Sequence, residues 1–197
     1  HIRLQMAMAD ALAHMGEDID ELMATITAYY ETLIAGGETA AARDLEGLQG
    51  STAVPAGRLQ EGIELLMRSA EHDPFNATST YGLAALAALL HHDRAAASAA
   101  LAGLEATGVH GRIVKLDKQR TQAGIDALDG RGAQALAGFR VVLDEYHRLE
   151  LPFCVAQTGI VMCAVLEPSL PEVEAAEREA RSILEALGAQ AWLHRLD

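Results

Sequence analysis

Turn-forming residues recur at nearly regular intervals along this chain of 197 residues, and this periodicity limits its fold more than any other feature. The turns are centred on Gly16, Gly57, His91, Gly130 and Pro171, at spacings of 41, 34, 39 and 41 residues. Between the turns, apolar residues recur every three or four positions, which is the spacing of one helix face. A single helix pair cannot bury such faces alone, so the sequence predicts stacked helical repeats.

Residues 57–74 show the repeat most clearly. After the turn at Gly57, the small Gly62 allows close contact with a partner helix, and the large Leu66 fills the gap that follows. The segment ends at Asp73-Pro74, because proline stops a helix. This pattern resembles the second helix of a tetratricopeptide repeat, and the spacing of 34 residues between Gly57 and His91 equals the period of that family.

The next repeat is predicted in the same register. Its first helix runs over residues 78–90 and its second follows His91, with Ala96 and Ala100 at the small and large positions. After Gly130, Ala135 and Phe139 take these positions. The pattern around Gly16 and Pro171 is looser, as in degenerate repeats.

Composition supports an all-helical fold. Half of the residues are hydrophobic but 4% are aromatic, and most apolar residues are Ala and Leu, which favour helices. Alternating β-branched and aromatic runs, typical of strands, are nearly absent. We therefore predict an all-α, right-handed α-α superhelix of about five helix pairs of the tetratricopeptide type, with a short capping helix from Ala191 to Leu196. The predicted pairs span residues 2–34, 38–72, 77–107, 111–149 and 152–188.

We expect these pairs to form a single domain, residues 1–197, with one continuous core, since each pair covers its neighbour. Gly36-Gly37 predicts a helix stop, and residues 50–56 carry the strongest loop signal. Because the chain starts with His rather than Met, we also expect it to be a fragment of a longer protein.

The last part of the sequence adds a second resemblance. Residues 177–193 (EREARSILEALGAQAWL) are similar to an Ala-Arg-x-Ile-Leu-x-x-Leu-Gly-Ala-x-x-Trp-Leu run that often ends large bacterial signalling ATPases, nucleotide cyclases and transcriptional regulators with tetratricopeptide arrays. Residues 145–153 (EYHRLELPF) resemble the segment that precedes this run. The resemblance implies a regulatory repeat region. It transfers no ATPase or cyclase activity, because the sequence has no Gly-x-x-x-x-Gly-Lys-Ser/Thr phosphate loop.

Charge and cysteine content limit the possible partners and environment. The net charge is −13, which argues against a general nucleic-acid binder and against docking on an anionic membrane. The sequence has no uncharged apolar run long enough for a transmembrane helix. Cys154 and Cys163 are too far apart along a helix for a disulfide and are predicted to be buried in a cytoplasmic protein.

The groups that could carry chemistry are sparse. His91-His92-Asp93 is a dense set of possible metal ligands, but adjacent helical residues point about 100° apart, so we interpret it as a helix end followed by an N-cap. The acidic residues 17–21 fit the positive end of a helix dipole better than a paired-carboxylate catalytic site. We predict no catalytic residue, no metal and no cofactor.

The expected functional surface is the concave face formed by the first helix of each pair. By repeat register, the residues predicted to bind a partner there are Arg3, Thr78, Tyr81, Asp117 and Arg120, with Met6 and Asp10 beside Arg3. A basic cluster, Arg112, Lys115, Lys118 and Arg120, is either a solvated face or a contact for an acidic peptide or acidic domain.

These features favour a non-catalytic interaction and regulatory module. Its expected partners are a protein or peptide, other domains of the same parent chain, or a second copy of the chain, without nucleic acid or membrane. The alternative is an effector-sensing domain that binds a small ligand in the concave groove. An α-helical enzyme ranks third because the sequence does not cluster the necessary groups.

Overall fold

The computed structural model describes residues 2–197, except for the side chains of Arg3 and Thr39. This part of the chain forms eleven α-helices and contains no β-strand, which confirms the all-α fold class. None of these helices combines the length and apolarity needed to cross a bilayer. The helices are α1 (Ile2–Met15), α2 (Asp20–Ala35), α3 (Thr39–Ala53), α4 (Leu59–His72), α5 (Ala77–Leu90), α6 (Arg94–Ala106), α7 (Arg112–Leu128), α8 (Gly132–Arg148), α9 (Pro152–Val165), α10 (Pro171–Leu187) and α11 (Gln190–Leu193).

The helices pack in consecutive pairs, as the periodicity predicts. Helices α1 to α10 form five pairs whose bounds follow the predicted spans, and the short α11 follows them. Each second helix also packs against the first helix of the next pair. This order arises because a helix with an apolar stripe must cover it with a neighbour, and the neighbour in sequence is nearest.

The first helices of the pairs form an inner row. Helix α1 contacts α3, α3 contacts α5, α5 contacts α7, and α7 contacts α9. The row also curves enough for α5 to contact α9. Both helices are buried over a full turn, at Ala84–Leu89 in α5 and Thr158–Met162 in α9, so they are apolar on all sides there and occupy the middle of the molecule.

The two ends of the described chain meet. Helix α11 packs against both α10 and α1, and its Trp192 is fully buried. Arg195 lies just beyond α11, and its Nη2 donates a hydrogen bond to the carbonyl oxygen of Val54 at 2.9 Å. A capping helix is therefore present, although it ends at Leu193 rather than at the predicted Leu196. It joins the last pair to the first, and Arg195 adds a contact with the second pair.

The apolar interior contains three clusters of buried residues, and Leu143 and Ile183 pack against two of them. The main cluster runs from the end of α3 to α11. Helices α1, α2 and α3 have their own cluster around Ala9, Ile26, Tyr30 and Leu45. A third cluster joins α7, α8 and α9 around Tyr146. The first pair is therefore held mainly by α3 and by α11, because its own apolar residues do not reach the main cluster.

The turn between α5 and α6 shifts the predicted register of the third pair by one residue. The left-handed conformation falls on Gly57, His92 and Gly130, with φ values of 89°, 57° and 78°, so the turn predicted at His91 is centred on His92. The buried small residue five positions later is therefore Ala97 rather than Ala96. A small residue is needed there: at the equivalent Gly62, an added Cβ would lie 2.8 Å from Val54 Cγ2.

The loop predicted over residues 50–56 is mostly helical. Helix α3 continues to Ala53, and a short turn then leads to α4. Gly50 lies where α3 and α4 approach closely, since an added Cβ would be 2.7 Å from Leu66 Cγ. The prediction was right for the turn at residues 54–56 and wrong for residues 50–53, where the small residues serve helix contact rather than chain reversal. The helix stop predicted at Gly36-Gly37 is confirmed.

A methyl group at Gly159 should destabilise the array. An added Cβ would lie 2.8 Å from the main-chain oxygen of Ala176 and 3.0 Å from Ala180 Cβ, so α9 and α10 would have to separate. We expect Gly159→Ala to lower the free energy of unfolding by about 1–3 kcal/mol, measured by urea denaturation followed by circular dichroism.

Gly132 provides the matched control. It begins α8, and no described atom lies within 4 Å of its added Cβ. Gly132→Ala should leave stability unchanged or raise it by up to about 1 kcal/mol, because alanine restricts the unfolded chain. Equal losses in the two variants would contradict the close contact of α9 with α10.

Candidate functional site

A groove of 410 Å³ opens between the inner helices α1, α3, α5 and α9. We call it the inner groove. Its volume lies within the range of about 300–1,000 Å³ that is usual for ligand sites. Its lining consists of Met6, Asp10, His14, Arg43, Asp44, Gly47, Leu48, Ser51, Leu66, Ser69, Asp73, Asn76, Ser79, Thr80, Leu83, Phe153 and Gln157.

The hydroxyl groups of the inner groove present acceptors rather than donors. Four serine and threonine side chains there already donate their hydrogen to a main-chain carbonyl of the same helix or of a neighbouring one. A hydroxyl that has donated its hydrogen keeps lone pairs that can only accept. The pairs are Ser51 with Leu48 (3.1 Å), Ser69 with Arg43 (3.0 Å), and Ser79 and Thr80 with Asn76 (2.9 Å each).

The charged groups of the inner groove have the same preference. Three carboxylates, Asp10, Asp44 and Asp73, outnumber the single arginine, Arg43. Both oxygens of Asp73 already accept hydrogen bonds from the residues two and three positions later in the chain. The Nη1 of Arg43 already donates to the carbonyl oxygen of His72 at 2.5 Å. The groove therefore favours a ligand that is rich in N–H donors or positive charge.

One end of the inner groove is closed by three rings that join three helices. The Nε1 of Trp192 in α11 donates to Nδ1 of His14 in α1 at 2.6 Å, and the planes of the two rings lie 15° apart with centroids separated by 5.7 Å. Phe153 of α9 meets both rings edge-on, at 5.5 Å from His14 and 5.9 Å from Trp192. Because Nδ1 accepts, a neutral His14 carries its proton on Nε2, which faces Asp10 Oδ2 at 3.8 Å.

This ring contact should make stability depend on pH. Burial lowers the pKa of His14, and the nearby Asp10 opposes the shift only in part. The unfolded chain then binds a proton more readily than the folded one below the unfolded pKa of about 6.5. The contribution of His14 is complete above that pH and is lost as the pH falls through the lower folded pKa, where a proton on Nδ1 displaces the Trp192 hydrogen bond.

The measurement compares urea denaturation of the wild type and His14→Asn between about pH 7.5 and pH 5. Asparagine can keep an acceptor near Trp192 without titrating in this range. We expect the wild type to lose more stability than the variant as the pH falls. If the stability of the two proteins changed equally with pH, protonation of His14 would not be the cause of the loss.

The predicted binding residues are spread over three places. Met6 and Asp10 line the inner groove, whereas the side chain of Arg3 lies outside the described residues. Thr78 is half-buried and does not belong to the lining of the groove. Tyr81 packs against α6, where an added Cβ on Gly103 would lie 2.5 Å from its ring. Tyr81 does not belong to the lining of the inner groove, to which α5 presents Thr80 and Leu83.

Asp117 and Arg120 come together in a buried polar cluster of α7 and α8. Arg120 is 4% exposed, and its Nη2 donates to Asp117 Oδ1 at 3.0 Å. The hydroxyl of Tyr146 donates to the same oxygen at 2.8 Å. Burial raises the pKa of Tyr146, so its phenol keeps the proton that it donates. The Nε and Nη1 of Arg120 find no hydrogen-bond partner among the described residues.

The remaining members of the predicted basic cluster lie apart from Arg120. Arg112 and Lys115 are exposed, and Lys118 is half-buried. Arg120 is instead inside the protein, so the four residues do not form one surface. An Arg120 substitution would change stability as well as any binding.

The other chemical groups have structural positions. The side chain of Asp93 accepts from the Ala96 amide at 2.9 Å, which confirms the N-cap interpretation. Within residues 2–197, no group of three His, Cys, Asp or Glu side chains could hold a metal ion. Burial raises the pKa of Cys154, and it raises the pKa of Cys163 to about 11. Both thiols therefore stay protonated and weakly nucleophilic.

Several groove residues were not found from the sequence. Arg43 and Leu48 belong to α3, for which the repeat register assigned no binding residue, and Phe153 and Gln157 belong to α9. Pro152 lies in the first turn of α9 and marks where the helix begins. The inner face of α9 is therefore the one part of this lining that the sequence could have revealed. The contact of Phe153 with His14 depends on the curvature of the array, which local sequence does not carry.

Comparison of the chain with protein-family models, curated proteins and solved structures finds no match. The fold described above is therefore supported by the helices and their contacts, and any function must be inferred from the surfaces that they form.

Proposed function

We propose that this chain is a non-catalytic binding module whose inner groove holds a donor-rich peptide segment of a partner protein. The observation that carries this proposal is the combination of four accepting hydroxyls with an excess of negative over positive side chains in the groove. Peptides supply N–H donors along their main chain, and Lys or Arg side chains add more. Apolar Met6, Leu83 and Phe153 offer contacts for intervening side chains.

The wider context comes from the second resemblance. On the likeness of residues 177–193 to bacterial signalling proteins, we propose that the module belongs to the regulatory region of such a protein. The bound segment then comes from a protein partner, from another domain of the same chain, or from a second copy. Stacked helical repeats suit this role because they present extended concave surfaces.

The test uses a peptide selected from a random library and two matched variants. Ser79 is exposed and lines the inner groove, whereas Ser182 is exposed on α10. Ser79→Arg adds bulk and positive charge inside the groove, and Ser182→Arg makes the same change outside it. We expect selected peptides to be cationic and Ser79→Arg to weaken them at least tenfold in calorimetry, with Ser182→Arg unchanged. Equal affinities for both variants would refute the proposal.

A second candidate is the sensing of a small effector. The 410 Å³ of the inner groove is a volume that a small ligand could fill. The same variants separate the two functions. A small cationic ligand that raises the melting temperature of the wild type but not of Ser79→Arg, in the absence of any selectable peptide, would favour sensing.

A further inference from the structure

A second and larger opening lies on the other side of the first two pairs. It has a volume of 1010 Å³ and runs between α2 and α4. We call it the outer cleft. Helices α2 and α4 do not touch each other, and the end of the chain around His194 borders the opening between them. A helix is about 10 Å wide, so the volume corresponds to roughly two helical turns.

The floor of the outer cleft suits a helix. On the α2 side, the exposed Ala24 and Ala28 flank Thr27. On the α4 side, Leu65 faces the opening, and Pro55 lies in the turn between α3 and α4. Small side chains permit the close approach that helix packing requires, at interaxial distances of about 8–10 Å. The exposed alanines distinguish the α2 side of the cleft from α4, whose exposed residues are mostly charged.

The rim of the outer cleft is acidic and largely unpaired. Glu17, Asp18, Asp20, Glu31 and Glu64 border the opening and form no ion pair within the described part of the chain. Repulsion among such groups is relieved by a cationic partner.

The arginines of the outer cleft do not neutralise this rim. Arg58 pairs with Glu61 at 3.1 Å, and Arg68 pairs with Glu46 at 3.2 Å. Arg195 points inward to the carbonyl oxygen of Val54. Six carboxylates and three arginines line the cleft, so its net charge is negative.

We infer that the outer cleft is a docking surface for a basic amphipathic helix of a partner protein. The apolar side of that helix packs on Ala24, Ala28 and Leu65. Its Lys and Arg side chains reach the carboxylates of the rim on the α2 side and on the α4 side. This surface is separate from the inner groove and goes beyond the function proposed for it. An amphipathic helix in a groove is a common recognition mode, in which residues at positions i, i+3, i+4 and i+7 make the contacts.

The experiment measures fluorescence anisotropy of a labelled 14-residue helical peptide of Lys, Leu and Ala with one apolar face. A second peptide carries Glu in place of Lys. The protein is used as the wild type, Ala28→Arg in the outer cleft, Ala102→Arg on the exposed face of α6, and Ser79→Arg in the inner groove. Ala28→Arg fills the floor and adds positive charge, and Ala102→Arg is its matched control.

We expect the Lys peptide to bind, with at least a tenfold loss in Ala28→Arg and no change in Ala102→Arg or Ser79→Arg. The affinity should fall with added salt, and the Glu peptide should not bind. Loss in Ser79→Arg alone would assign the peptide to the inner groove and overturn the inference, as would equal binding of the Glu peptide.

A second copy of the chain is the alternative occupant, through Arg112 and Lys115 of α7. Sedimentation would then detect self-association that both Ala28→Arg and Lys115→Glu remove, and this result would also overturn the inference. A failure of the inner groove to bind any peptide leaves the outer cleft untouched, so the two proposals are tested independently.

Discussion

Replacing Asp117 with alanine is expected to lower the free energy of unfolding by about 3–5 kcal/mol. Asp117 belongs to the buried polar cluster of α7 and α8, in which Arg120 is 4% exposed. The ion pair of Arg120 with Asp117 has an Nη2–Oδ1 distance of 3.0 Å. Without Asp117, a buried guanidinium would have no counter-charge, and the hydroxyl of Tyr146 would lose its acceptor. Urea denaturation followed by circular dichroism measures the loss.

Two controls separate the burial of charge from the loss of a side chain. Asp129 forms exposed ion pairs with Arg94 at 2.9 Å and with Arg131 at 3.0 Å, so Asp129→Ala should have a much smaller effect. The triple variant Asp117→Leu, Arg120→Met, Tyr146→Phe removes the polar groups together and should recover most of the stability, because apolar replacements of buried ion pairs are often neutral. A loss in Asp117→Ala no larger than in Asp129→Ala would mean that Arg120 is solvated.

Replacing Trp192 with alanine should cost about 3–5 kcal/mol. Trp192 is fully buried in the main apolar cluster and donates to His14 across a sequence separation of 178 residues. Helix α11 has four residues, so packing rather than helix propensity holds it in position. The substitution therefore removes a large core side chain and loosens α1, α10 and α11 together.

The conservative variant Trp192→Phe keeps a ring but removes the N–H donor. We expect it to cost roughly 1–2 kcal/mol, mostly from the lost hydrogen bond and a smaller apolar contact. Hydrogen exchange of α1 should rise in Trp192→Ala and much less in Trp192→Phe. Unchanged exchange of α1 in Trp192→Ala would show that the ends of the chain are stabilised separately.

The helices and their order could be predicted from the sequence because local features determine them. Apolar spacing marked the inward face of most helices, though not of α5 and α9, which are buried on all sides over a full turn. Pro152 and Pro171 lie at two helix starts, and Gly16, Gly57 and Gly130 marked turns in which the left-handed conformation favours glycine. At His92 the same conformation is held by a non-glycine residue, so the signal was weaker and the register slipped by one.

The contacts that shape the surfaces could not be predicted in this way. Tyr81 faces α6 because Gly103 leaves room for its ring, and that space is visible only once the two helices are packed. Arg120 was expected on a surface, because an arginine is rarely buried without full pairing. The meeting of His14, Phe153 and Trp192 depends on the summed curvature of five pairs.

Helix α11 lies close to both candidate surfaces. Its Trp192 donates a hydrogen bond to His14, which lines the inner groove, while Ala191 borders the outer cleft. The Trp192 variants should be compared for peptide binding at both surfaces only under conditions in which they remain folded.

The central claim is that the inner groove is the binding surface. It is tested most directly by measuring which amide chemical shifts of the protein change when a peptide binds. A library-selected cationic peptide should shift amides of α1, α3, α5 and α9, including Asp10, Leu48, Thr80 and Gln157. Shifts confined to the outward faces of α6, α8 and α10 would contradict a binding role for the concave side of the array.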